Sequence, residues 1–429
     1  MKRRDFIKML GAVGTAAAFP GMCLRSAQAA ETQPFTGKAL ISLYAGGGWD
    51  HSSFCDPREN PSVNHWADNN KAGIAGNLRY APFAENAEFF EKHFQRMLVF
   101  NGMNLQTNGH GGAAMTHGSG GLAGYPVLNA IYAAVNGAGL PLAWLAGGGG
   151  PSEHMSLPGA TGLPSGDRLR SLANPNYKDG KTLYFRSSDH VILERYRRER
   201  LQAQLLDTGM PYADAKVSSQ LDALVNSSLI NRIEAVMPEE IDTVDLKGDN
   251  NRLISKIHLM LIAIKAGICV TGNMSTGGFD THNNHDQRHA VALTRLTRAA
   301  DYLWTKAEEM GMADRIVLHL ASDVGRTPRY NGNNGKDHWS TGSAIIMANA
   351  QPWGNRIVGL SSSDHRSVNI NPTTLQPAGD EGVSLKTAHL HQTLRRILGI
   401  ENDPVSKQYA FQVAEIDTLN PVNSSPINV

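Results

Sequence analysis

Cysteine is scarce in this chain, with three among 429 residues, at positions 23, 55 and 269. That number excludes a disulfide scaffold and a cysteine-ligated zinc site. One bond between Cys55 and Cys269 stays open, because sequence does not report proximity. Charge of one sign is missing as well. Lys+Arg number 40 against 39 Asp+Glu, a net +1, so there is no field to attract a polyanion and no nucleic-acid partner is expected. The apolar segment Met9–Pro20 is short and rich in Gly and Ala, too weak for a stable membrane anchor. Repeats, long low-complexity tracts, and a phosphate-cradling loop with its lysine are absent. No Gly-x-Ser-x-Gly elbow is obvious either, although HGSGG at 117–121 superficially resembles an oxyanion loop. A metal-independent serine hydrolase is therefore the weakest reading.

What is present begins with a leader. Arg3 and Arg4, followed by Phe6 and Lys8, form a twin-arginine export signal. Ala27-Gln28-Ala29 is a small-x-small cleavage pattern. The bulky Met22 before Cys23 argues against lipidation. Residues 1–29 are thus expected to be a signal peptide read by the twin-arginine translocation machinery. Residues 30–429 are expected to form a single α/β domain, periplasmic or secreted. Twin-arginine substrates generally cross already folded, often with a cofactor loaded.

Hydropathy supplies the fold class. Apolar runs at Ala39–Ala45, Met97–Asn101, Ile268–Thr271, Arg315–Ala321 and Ser343–Ala348 read as strands. Helical patterns cover His190–Asp207, Val217–Val236, Asn251–Ala266, Ala290–Met310 and Thr387–Leu398, and another helix begins in or just beyond the polar segment 104–121. Alternating strands and helices imply a three-layer αβα sandwich around a mostly parallel sheet. In such folds functional groups gather at the carboxyl ends of strands, and Asp50, His110, Asp280 and Asp323 all follow predicted strands.

The stretch GGFDTHNNHDQRH, 277–289, holds Asp280, His282 and His285 close together. Those are donor types for a divalent ion, and the plain alternative is a polar loop with solvated histidines. Asp50, Asp323 and His338 extend the set, and such mixed oxygen and nitrogen donors suit zinc, manganese or magnesium. A strand-end Asp can instead simply cap the next helix. Arg326 has the fork to hold a phosphate or sulfate, or forms a surface ion pair. Asp337 is placed to orient the His338 imidazole.

The motifs YAGGGWD, HGSGG, GFDTH and SDVGRTPRYNGNNGKDHW, with the leader, resemble the family catalogued as domain of unknown function 1501. That family is grouped with the alkaline phosphatase and sulfatase superfamily. The resemblance spans about 39–398. It implies an alkaline-phosphatase-like sandwich and one or two divalent ions that assist attack on phosphorus or sulfur. By this resemblance Asp50 matches the strand-one metal aspartate. Asp280, with His285 or His282 and the late His338, matches the other metal's ligands, and Asp323 matches the aspartate of an Asp-His pair. Two departures stand out. Val324 occupies the place of that pair's histidine, and no clear nucleophile appears. The nucleophile slot falls on His110, with Thr107, Thr116 and Ser119 as nearby hydroxyls. His110 is open to three roles: ligand, acid/base, or covalent acceptor.

Two functions follow as expectations. One is an exported metal-dependent hydrolase acting on a small-molecule or glycan ester of phosphate or sulfate. The other is a non-catalytic exported protein that binds metal or glycan on the same fold.

Overall fold

The structure, a computed structural model, describes residues 33–177, 182–207, 217, 221, 227–249 and 252–422. The expected leader 1–29, with Arg3, Arg4 and Cys23, lies outside them, as does part of the expected helix 217–236. Its described part contains the short helix Ser227–Ile230 and a 3-10 turn at Asn231–Ile233.

Eight strands build the main sheet: β1 Ala39–Ala45, β2 Met97–Asn104, β3 Trp144–Ala146, β4 Thr161–Gly162, β5 Thr271–Thr276, β6 Ile316–Ser322, β7 Thr341–Ala348 and β8 Arg356–Val358. Their spatial order is β8-β2-β7-β6-β1-β5-β3-β4. Every neighbouring pair is parallel except the two made by β7, which runs against β2 and β6. The sheet is therefore mostly parallel, as the alternation of elements requires.

Strand periodicity explains the layers. Successive side chains point to opposite faces. Leu40, Leu98, Phe100, Val317 and Ile346 enter one hydrophobic cluster, while Ile41, Val99, Leu318, Leu320 and Ile345 enter another. Being apolar on both faces, β1, β2, β6 and β7 read as continuous hydrophobic runs. Each fully buried Leu or Ile contributes about 1.5–3 kcal/mol. Helices α1 Asn86–His93, α4 Leu253–Lys265 and α5 His285–Glu309 cover the second cluster. Helices α2 His110–Ser119, α3 Leu128–Asn136 and α6 Thr387–Ile397 cover the first. The result is an αβα sandwich.

Two local differences have physical reasons. The strand expected at 268–271 is instead Thr271–Thr276, whose sequence TGNMST lacks an apolar run. Its polar groups are buried by pairing: Asn129 donates to the Thr271 hydroxyl at 2.7 Å, and the Trp144 indole donates to Asn273 at 2.7 Å. Cys55 and Cys269 are both buried free thiols, so the open disulfide does not form. Burial pushes the Cys269 thiol up to about 12. No helix among the described residues is long and apolar enough to cross a membrane.

Candidate metal centre

The carboxyl edge of the sheet collects the motif loops. After β1 the chain makes a glycine turn in which Gly47 has φ +114, and a Cβ there would meet the Asp280 backbone N at 2.4 Å. Only glycine combines that dihedral with that approach. The Gly47 N–H donates to both Asp323 oxygens, at 3.0 and 3.1 Å, tying the loop after β1 to the loop after β6. Because β7 is reversed, its amino end lies at the same edge. A two-residue ribbon there pairs His338 with Arg326.

Three imidazoles and one carboxylate converge in this place. Asp280 Oδ1 lies 2.9 Å from His282 Nε2, 3.2 Å from His338 Nε2 and 3.6 Å from His110 Nε2. The donor atoms of His110, Asp280 and His338 all fall within 4.8 Å of one another. Each ring is oriented through its other nitrogen. His110 Nδ1 faces Asp323 at 2.7 Å, His282 Nδ1 faces Asp337 at 2.7 Å, and His338 Nδ1 faces the Asn108 carbonyl at 3.1 Å. Those three partners are acceptors, so each Nδ1 carries a proton, and the Nε2 of a neutral ring presents a lone pair. His282 and His338 then bring two lone pairs within 3.0 Å. With both rings neutral that contact is repulsive, and a proton on one ring or a metal ion among them relieves it. Two donors bound at ~2.0–2.1 Å to one tetrahedral ion stand ~3.3 Å apart, and the observed spacings bracket that distance. The carboxylate and carbonyl behind each ring are the arrangement that metal-bound histidines use. The residues fit a divalent ion.

Electrostatics favours the ligating forms. Burial pushes the Asp280 carboxyl up, but the Arg326 guanidinium and His338 overcome that and hold it at about 2. Burial lowers His338, keeping it neutral. Side-chain exposure is 48% for Asp280, 44% for His282, 37% for His110 and 25% for His338, so the centre is open to solutes.

A second cluster lies beneath it and is closed. Asp50, Lys336, His51, His285, His289 and His365 are all 0% exposed. Lys336 Nζ donates to Asp50 Oδ2 at 2.6 Å and to Asn64 Oδ1 at 3.0 Å. The Ser52 hydroxyl donates to Asp50 Oδ1 at 2.6 Å, and the Ser53 hydroxyl to Oδ2 at 3.0 Å. His285 Nε2 lies 3.2 Å from Asp50 Oδ2. Burial raises the Asp50 carboxyl, yet Lys336 and His285 bring it well below the usual carboxylate range. Burial lowers His365 to about 3, and His51 and His285 are lowered for the same reason.

The structure therefore sorts the expected residues. Asp280, His282, His338 and His110 come together at the open centre, with Asp323 behind His110. Asp50 and His285 do not join them and pair in the closed cluster instead, so Asp50 and Asp323 do not share one metal position. Val324 is 1% exposed in an apolar cluster. Arg326 is no surface fork: it is fully buried and donates to the Gly47, Gly48 and Lys336 carbonyls and to Asp280. Four donor contacts are already made, so it fixes Asp280 rather than presenting a fork to an anion. Ser119 lies at the far end of α2, where its hydroxyl donates to the Met115 carbonyl at 2.7 Å. Sequence reasoning missed Lys336, His51, His289 and His365. The one usable signal for Lys336 was its neighbour Gly335, where a Cβ would meet the His282 carbonyl at 1.9 Å.

Among known proteins, the family described as "Protein of unknown function (DUF1501)" matches residues 37–409. No curated protein matches the sequence. Solved structures that resemble the chain include an alkaline phosphatase from the Antarctic bacterium TAB5, at 11% identity and TM-score 0.30, covering 76% of this chain and 95% of that one. A sulfatase from Pseudoalteromonas sp. overlaps at 9% identity and TM-score 0.37, covering 90% of this chain and 71% of that one.

Proposed function

The chain belongs to the DUF1501 family, and from that premise we propose an exported metal-dependent hydrolase of phosphate or sulfate esters. The observation that carries this reading is the convergence of three oriented imidazole Nε2 atoms on Asp280 Oδ1 at a solvent-open edge. The ester class follows the superfamily resemblance of the motifs. A second feature supports an anionic substrate. Helix α2 starts at His110 with no side chain capping it, and uncapped helix N–H groups favour an anion.

When bound, a divalent ion here supplies Lewis acidity and acidifies water. The protein's own groups do the rest. Asp323 and Asp337 hold the His110 and His282 rings by their Nδ1 protons. Arg326 holds Asp280 ionised and in place. The first N–H groups of α2 stand beside His110 to bind the ester's anionic oxygens. Among the described residues, no hydroxyl or thiol hydrogen-bonds to any of the four donor side chains. Direct attack by water therefore fits the site better than a covalent serine route.

The test is metal analysis of protein purified without chelators, with a panel of phosphate and sulfate esters. One zinc, manganese or magnesium ion per chain is expected, with turnover abolished by chelator and restored by metal. A folded, metal-loaded protein inert on every ester supports the second reading, a non-catalytic metal- or glycan-binding protein. That reading is favoured by the donor count, since three convergent donors, with His282 Nε2 3.0 Å from His338 beside them, approach the number of a closed structural site. Export is tested separately. With Arg3 and Arg4 both changed to Lys, the precursor is expected to stay in the cytoplasm, and undiminished secretion would overturn the twin-arginine route.

A further inference from the structure

The closed cluster has the makings of a metal site and already contains a cation. The donor atoms of Asp50, His51 and His365 lie within 4.8 Å of one another. His365 Nδ1 faces the Arg326 carbonyl at 3.2 Å, and His285 Nδ1 faces the Thr281 hydroxyl at 2.7 Å. His365 Nε2 and both nitrogens of His51 are buried without a hydrogen-bond partner, and His285 Nε2 has only Asp50 Oδ2, at 3.2 Å. Buried imidazole nitrogens are rarely left unpaired. Two such rings, His51 and His365, beside one carboxylate describe a ligand set.

Lys336 already supplies a cation to the carboxylate of that set. Its ammonium is fully buried, contacts Asp50 Oδ2 at 2.6 Å, and is steadied by Asn64 and by Ser52 at 3.4 Å. The Tyr330 ring lies 5.0 Å over it. A buried lysine is retained only when paired, and here its partner is the carboxylate of a metal-type cluster. A divalent ion entering beside it would meet a like charge at contact distance in a dry site.

We propose that the Lys336 ammonium is a built-in cation that takes the place of a second metal ion. The chain binds one divalent ion, at the open centre. Removing the ammonium turns the closed cluster into a second divalent site made by Asp50, His51 and His365. This goes beyond the hydrolase reading and does not depend on turnover.

The experiment counts zinc per chain by mass spectrometry after zinc loading and gel filtration. The unaltered protein is expected to keep one ion and Lys336→Ala about two. The double variant Lys336→Ala/His338→Ala is expected to keep one, which places the gained ion away from the open centre. Two tightly held ions in the unaltered protein would overturn the proposal whatever the variants do, and would leave the open centre standing. A folded Lys336→Ala protein that gains no ion would overturn it as well. If the unaltered protein holds no ion while Lys336→Ala holds one, the open centre fails and the ammonium substitution stands.

Discussion

At the open centre, Asp280 is 48% exposed and meets three imidazoles, each held by an acceptor at its Nδ1. At the closed cluster, Asp50 is 0% exposed and meets an ammonium, two serine hydroxyls and an imidazole. Both carboxylates end up ionised, by different means. Asp280 accepts from the Arg326 guanidinium on the same Oδ1 that faces the three imidazoles. Asp50 accepts from an ammonium and two serine hydroxyls in a site closed to solvent. A solvent-open carboxylate beside neutral imidazoles invites a metal, whereas a buried one paired with an ammonium is already neutralised. Residue type does not separate the two clusters, since both offer Asp and several His. Proton placement and solvent access do.

The largest break in this contrast comes from the closed side. Asp50→Ala leaves the Lys336 ammonium buried without its partner, at a cost of about 3–5 kcal/mol. Urea unfolding should show that loss equally with and without chelator, while the ion at the open centre is retained. A loss that disappears in chelator would mean that Asp50 holds metal.

On the open side, His338→Ala should cut metal content from about one ion per chain to near none. At free metal of 100 to 1,000 times Kd, the unaltered protein should exceed the variant by about 3–4 kcal/mol. With chelator the gap should close, because the open centre stabilises only through its ion. The two variants thus differ in metal dependence more than in size. A His338→Ala protein with full metal content would remove His338 from the ligand set.

Much of the open centre is legible in the sequence. Asp280 and His282 lie two residues apart, and Asp323, His110 and His338 follow or flank strand ends, so the sheet rule brings them to one edge. The closed cluster is not. Lysine is almost always exposed, so the lone Lys336 between Gly335 and Asp337 reads as surface. His51 and His365 lie 314 positions apart in the numbering, and their rings meet at 4.5 Å only because the fold is complete. His285 shows why local spacing misleads. It sits three residues after His282, but α5 begins at His285 rather than at 290. The first helical turn carries its ring inward to Asp50, while His282 stays in the loop. Strand β5 escapes because its buried polar residues are satisfied by partners distant in sequence.

A smaller effect tests the residues behind the rings. Asp323→Asn removes the charge that orients His110 through Nδ1, while the Gly47 N–H contact still holds the loop. Metal affinity is expected to fall about 10–100-fold, measured by competition with a chelating dye. Stability in chelator should change little. An unchanged affinity would mean that His110 does not ligate, leaving three donors at the centre.

The smallest effect belongs to a residue outside both clusters. By motif alone, Ser119 is a hydroxyl close to His110. Yet α2 runs from His110 to Ser119, and at 1.5 Å per residue that separates them by ~14 Å along the axis. Ser119 is 1% exposed. Its hydroxyl lies 2.7 Å from the Met115 carbonyl and 2.9 Å from the Gly121 carbonyl, bonds that close the helix end. Ser119→Ala deletes the hydroxyl and keeps the helix, since alanine is the better helix former. The lost hydrogen bond should cost about 0.5–1.5 kcal/mol, read as a small shift in the urea midpoint. Metal content and ester turnover should not move. A tenfold or greater loss of turnover in a folded, metal-loaded Ser119→Ala protein would put this hydroxyl into the chemistry. It would also require α2 to rearrange toward the open centre, and chemical cross-linking between His110 and the helix end would detect that change.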